Sequence, residues 1–392
     1  MPLDNLIKSV VFRKGRSLKI ELREFEEHFN MEQISTAGYL KQRMKLNPEA
    51  LKDLAQYHAR QFYDDNSAQR LKGHLVFAGD GGFLNVPSES SEFANASTKG
   101  TKARPQAPLH CMCDVINRMI VDLDISTHRV SERDMAMIQI DNAVNVVGDK
   151  PCIYVFDRGY PSGEFFLDLQ DRKKLFLVRL SEKTFKREQA NMVSDDCEVE
   201  IVFDRSRIKV HLNTKTGDRL KKAGSIKLRF VRILLSTGEY EYLATNLSPQ
   251  EFSTSEIGEL YRMRWGIETV FDDLKNKLQI ENFTGTKQII IKQDIYATMY
   301  LLNLASDIMQ SVEITGNYKH KMQLNRNMAF GIIKEELIRM ILAEDMVEKQ
   351  ILMCAIVQEL ERHILPVRPN RIYKRNKCPL ASKHHNTKKR CY

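Results

Sequence analysis

Residues 260–275 read LYRMRWGIETVFDDLK. Placed on a helix at about 100° per residue, Tyr261, Arg264, Glu268 and Lys275 fall within roughly 60° of arc. Leu260, Ile267, Phe271, Leu274 and Leu278 occupy the adjacent stripe. A single helix over residues 257–278 therefore packs by its apolar stripe and turns a row of phenol, guanidinium, carboxylate and ammonium outward beside that contact. An Arg–Glu pair at i,i+4 is on its own an ordinary solvated helix face.

Two further acids change the weight of that row. Asp80 ends the apolar run HLVFAGD before Gly81-Gly82, and Asp157 ends CIYVFD before Arg158-Gly159. Each alone reads as a turn or cap residue. Asp80, Asp157 and Glu268 together, two from strand breaks and one from a helix, make an oxygen-rich anionic site suited to Mg²⁺, with Mn²⁺ as the alternative. Two such ions activate a water or sugar hydroxyl and stabilise the leaving oxygen of a phosphodiester. Tyr261, Arg264 and Lys275 then face the phosphates of a polyanion.

The distribution of charge points to the same partner. The chain carries a formal net charge of +9, and nine Lys or Arg with no acid lie between Pro366 and Tyr392. The rest of the chain sums to zero, so the excess is concentrated in a basic tail of the kind phosphate backbones attract. The seven cysteines form no regular framework, which fits a reducing cytoplasm. Cys378, His384, His385 and Cys391 match no standard zinc spacing. Neither a secretory leader nor a membrane-spanning run is read from the sequence, so no membrane partner is expected.

Outward from the opening stretch, five regions are expected. Residues 1–70 read as a helical region with a basic cluster at Lys41, Arg43 and Lys45, a candidate for DNA contact. Residues 71–180 alternate strands with helices, one of them starting at Ser162, and imply a mixed α/β domain. Residues 181–252 read as nearly all strand, with a turn at Thr237-Gly238. Residues 253–365 return to helix, and 366–392 form the tail.

At this point the motifs carry a resemblance. Tyr261-x2-Arg264-x3-Glu268-x6-Lys275 resembles the Tyr-Arg-Glu-Lys signature of bacterial insertion-sequence DDE transposases of the insertion-sequence-four type. VFAGDGG resembles the first-aspartate strand of that family, KARPQAPLHCMCDVINRMIVDLDI its following strands, and FDRGYPSGEFF its second-aspartate turn. The likeness runs from about Leu71 to Gly285 and is loose before residue 71. It implies an RNase H-like catalytic domain interrupted by a β-rich insertion, with helical N- and C-terminal regions. It also implies Asp80, Asp157 and Glu268 as the metal-binding catalytic triad, and Tyr261, Arg264 and Lys275 as phosphate contacts near the transposon end. The expected partners are double-stranded DNA at element ends and target, and a second copy of the chain in a homodimeric complex.

Two positions depart from the family pattern. Many relatives place Ser or Thr where this chain has Gly82, and some place a base-stacking tryptophan in the insertion, whereas Trp265 lies on the signature helix. Tyr240 or Tyr242 offers a substitute ring. Two other readings stand beside the transposase: a DNA-binding descendant that has lost catalysis, and a stand-alone nuclease of the same fold.

Overall fold

The computed structural model describes residues 1–65, 67–93, 95–96 and 104–367. The basic tail from residue 368 onward, with Cys378, His384, His385 and Cys391, lies outside them. In chain order come α1 (Leu3–Val11), α2 (Leu18–His28), α3 (Thr36–Arg43) and α4 (Glu49–Asp64). Then follow β1 (Leu75–Asn85), β2 (Asn95–Ala96), β3 (Arg104–Asp114), β4 (Met119–Ile125), α5 (Glu132–Val147), β5 (Cys152–Phe156), α6 (Gly163–Asp171) and β6 (Leu175–Leu180). The insertion supplies α7 (Lys186–Ala190), β7 (Asp196–Val202), α8 (Arg205–Ile208), α9 (Lys215–Ala223), β8 (Ser225–Leu234) and β9 (Tyr240–Thr245). The remainder comprises α10 (Thr254–Met263), α11 (Gly266–Asp272), a π-helical turn (Asp273–Lys277), α12 (Gln288–Gln310), β10 (Met322–Leu324), α13 (Arg326–Leu342), α14 (Met346–Glu361) and β11 (Ile364–Pro366).

The sheet runs β2–β3–β1–β5–β6–β9–β8–β7, and β4 also pairs with β3. Val115 N–H donates to Val76 C=O and Val86 N–H to Pro105 C=O, so β3 runs antiparallel to β1. β5 and β6 follow parallel to β1, with Ala78 opposite Val155 and Phe156 opposite Val178. The order β4–β3–β1–β5–β6, antiparallel then parallel, is RNase H-like. The insertion strands extend this sheet: β9 pairs antiparallel with β6, and β8 and β7 follow antiparallel.

The chain divides into two compact units. One holds residues 59–82 and 108–271, the other residues 1–58, 83–107 and 272–392. In the first, Phe77, Tyr154, Phe156, Phe165, Phe166 and Phe176 are buried on the parallel strands and α6, with Phe77–Tyr154 stacked at 5.7 Å and Phe156–Phe165 edge to face at 5.1 Å. Each such ring contributes about 1.5–3 kcal/mol by leaving water. Ser162 caps α6 by accepting from Phe165 N–H, as its sequence predicts.

Three expectations need correction. The stretch 203–224, read with the insertion strands, is helical, because Asp204 and Thr214 act as N-caps and start α8 and α9. The pair Gly81-Gly82 does not break β1, which continues extended to Asn85, so Asp80 sits within a strand rather than at its end. In the second unit, Arg43 is no part of an exposed basic cluster. It is fully buried, donating to Gln293 Oε1 at 2.7 Å and Asp294 Oδ1 at 2.8 Å, with Arg13 also on Asp294 at 2.7 Å. Burial acts to raise the Asp294 pKa, but the Arg13 and Arg43 charges hold it below the usual range.

Candidate active site

Asp80 and Asp157 are brought side by side by strand register. Each lies two residues beyond the paired Ala78 and Val155 on neighbouring parallel strands, which run about 4.8 Å apart. The backbone braces both carboxylates: Asp80 Oδ1 accepts from Gly81 N–H and Asp157 Oδ1 from Gly159 N–H, each at 2.8 Å. Burial and the neighbouring Asp157 push the Asp80 carboxyl up to about 6, with Glu132 adding to the rise while Gly81 N–H and Arg264 oppose it.

Glu132 is the acid that the sequence reading passes over. It opens α5 next to the cap residue Ser131, and its Oε1 lies 2.9 Å from where a Cβ on Gly81 would stand. Its neighbour Arg133 donates to Gly159 C=O at 3.2 Å and fastens this helix start to the Asp157 turn. Burial and Asp157 raise the Glu132 pKa as well. An acid in the first turn of a helix reads as dipole complement, so only the folded placement reveals it.

The opening stretch is not one helix. A capping box between Ser253 and Glu256 starts α10, which ends at Arg264, where i→i−3 bonds tighten the chain through Trp265, Ile267 and Glu268. Gly266 begins α11 where a Cβ would press on Val115 at 2.9 Å, and this close approach sets the break. Leu260, Ile267, Leu274 and Leu278 are buried as expected, with Phe271 half-buried.

The polar row, however, does not face outward throughout. Tyr261 is 2% and Arg264 7% exposed. Arg264 Nη2 donates to Glu268 Oε1 at 3.3 Å, and its guanidinium lies over the Tyr261 and Trp265 rings at 5.8 and 5.6 Å. The Tyr261 hydroxyl and Arg264 Nε are buried without a hydrogen-bond partner. Glu268 is partly open to solvent. Thus Asp80, Asp157, Glu132, Arg264 and Glu268 share one unit, with Arg264 acting on both Asp80 and Glu268. Lys275 belongs to the other unit, in the π-helical turn, where it donates to Phe83 C=O at 2.9 Å.

Asp80, Asp157 and Glu132 have no ion-pair partner among the described residues. No group of three or more acidic, His or Cys side chains closes on a common point there. Hard carboxylate oxygens, with Asp80 raised to about 6 by burial first and by the neighbouring Asp157 second, are a donor set that fits a divalent cation. Elsewhere in the same unit, Trp265 is 47% exposed, and Tyr240 is 48% exposed beneath the Arg232 guanidinium at 4.8 Å. No helix among the described residues is long and apolar enough to cross a membrane.

A family model described as transposase DDE domain matches residues 71–304. Transposase InsG for insertion sequence element IS4 of Escherichia coli (strain K12) is 21% identical over 282 residues, covering 69% of this chain and 60% of that protein. The chain thus spans about three fifths of that relative's length. The transposase for insertion sequence element IS421 of Escherichia coli is 30% identical over 76 residues, 19% of this chain and 20% of that one. Among solved structures, a piggyBac transposase synaptic complex with hairpin DNA superimposes with a TM-score of 0.43 and 11% identity, over 91% of this chain and 74% of that one. The family match spans more than half of the chain and contains Asp80, Asp157 and Glu268, and on it this chain belongs to the transposase DDE domain family.

Proposed function

We propose that this protein is a DNA transposase that cleaves at the ends of an insertion sequence and joins the freed 3′ hydroxyl to target DNA. The observation that carries the reading is the in-register pair Asp80–Asp157 sharing a unit with the Arg264–Glu268 pair, inside the family match. Asp80, Asp157 and Glu268 would hold Mg²⁺ or Mn²⁺, which supplies Lewis-acid activation of the attacking oxygen and stabilisation of the leaving one. Gly81 N–H and Gly159 N–H keep the two aspartates oriented as acceptors. Tyr261, Arg264 and Lys275 are the proposed phosphate contacts. The active complex is a homodimer holding two ends, working in the bacterial cytoplasm on nucleoid DNA. Residues 71–180 with 253–365 form the catalytic part, and 1–70 and 366–392 assist in binding.

Purified protein with Mg²⁺ and a labelled element end tests the reading. Asp80→Asn, Asp157→Asn and Glu268→Gln should each abolish cleavage while end binding, followed by gel shift, survives. Nicking retained in any of the three refutes the triad.

A further inference from the structure

The insertion contains a charge asymmetry that the catalytic reading does not use. Residues 203–224 hold seven Lys or Arg against two acids, whereas the rest of the same unit, residues 59–82, 108–202 and 225–271, holds 20 against 26. The short helical segment between β7 and β8 is therefore net positive by five charges, while the rest of the unit is net negative by six.

Within that segment the cations divide into two sets. Some are spent internally: Arg207 donates to both oxygens of Glu188 at 2.7 Å, Arg219 reaches Asp168 and Asp171, and Lys221 lies 3.9 Å from Asp218. Thr216 donates to Glu164 at 2.6 Å. The Thr216 and Arg219 bonds clamp the inner face of α9 onto α6, the helix that follows the Asp157 turn, and Arg207 ties α8 to α7. Gly217 completes the packing, since a Cβ there would stand 2.1 Å from His211 C=O. The other set, Arg205, Lys209, Lys215 and Lys222, is exposed and has no ion-pair partner among the described residues. Lys215 and Lys222, seven residues apart, share the solvent face of α9, opposite the buried Gly217 and Leu220.

Four exposed cations within one short segment, two of them on the same face of the braced α9, in a unit otherwise net acidic, attract a polyanion. The segment's ordering cost is already met by the inner bonds. We infer that segment 203–224 is a docking surface for the phosphate backbone of duplex DNA, binding independently of base sequence. The inference rests on the transposase reading only for its choice of DNA as the polyanion.

The test measures binding of a duplex of arbitrary sequence by fluorescence anisotropy across a salt series, for the full chain and for R205Q/K209Q/K215Q/K222Q. Each phosphate contact releases counterions and contributes about 0.9 to the slope of log K against log salt. The quadruple variant should bind more weakly and lose about 3–4 from that slope. The double variant K215Q/K222Q should lose about 2, which keeps the test decisive if the quadruple variant folds poorly. Slopes equal to that of the unaltered chain overturn the inference. Because this readout needs neither metal nor cleavage, its failure is distinct from that of the catalytic reading, which the triad variants report.

Discussion

Arg264 donates to Glu268 at 3.3 Å across the break between α10 and α11, with its own side chain 8% exposed and that of Glu268 40% exposed. The same guanidinium attracts Asp80. One buried cation therefore acts on acids from two different elements, and its loss should be felt at both. Arg264→Ala is expected to destabilise the fold by about 1–3 kcal/mol in urea unfolding. It should also raise the Asp80 pKa further above about 6, followed by carboxyl-carbon NMR.

Asp80 itself opposes stability at neutral pH. Its folded pKa of about 6 exceeds the ordinary aspartate value of 3.8, so the folded state binds the extra proton. The contribution is fully present below pH 3.8 and is lost as pH rises through about 6. Asp80→Asn removes the ionised group and should make the protein more stable than the parent at pH 7–8, by up to about 3 kcal/mol at about 1.36 kcal/mol per unit. The advantage should shrink toward pH 4 in thermal melts. A variant inactive in cleavage yet more stable is the expected signature of strain kept for function.

Glu132 adds to the rise at Asp80, and Glu132→Gln should return the Asp80 pKa part of the way toward its ordinary value. The same carbon-detected titration reads this directly. An unchanged Asp80 titration would remove Glu132 from the electrostatics of the site.

The glycines around Asp80 should behave differently from one another. A Cβ on Gly79 would stand 2.6 Å from Phe156 Cε1 and 3.1 Å from Met112 Cε, both fully buried. Gly79→Ala should cost about 1–3 kcal/mol in urea unfolding by overpacking. A Cβ on Gly81 meets only the end of the Glu132 side chain, which can swing away, so Gly81→Ala should leave stability nearly unchanged.

Much of this was legible in the sequence, for reasons that differ by element. The apolar runs around Asp80 and Asp157 became β1 and β5 because buried parallel strands are continuously hydrophobic. Ser162 and the Thr237-Gly238 turn announced themselves by local chemistry, Gly238 taking a φ of 83°. The helix break at Arg264 was hidden, since it arises from the approach of Val115 to Gly266, some 150 positions apart in sequence. Arg43 looked like one of three surface cations because its partners Gln293 and Asp294 come from α12. Glu132 was invisible for the same reason: its importance lies in what α5 is tied to, not in its neighbours along the chain.

The central claim is that Asp80, Asp157 and Glu268 cut and join DNA with a divalent metal. The most direct measurement incubates the protein with Mg²⁺, a labelled element end and a target plasmid, and follows the label. The account predicts label covalently joined to the plasmid with the unaltered chain and none with Glu268→Gln. Cutting without joining would leave a nuclease, and binding with neither would contradict the catalytic assignment altogether.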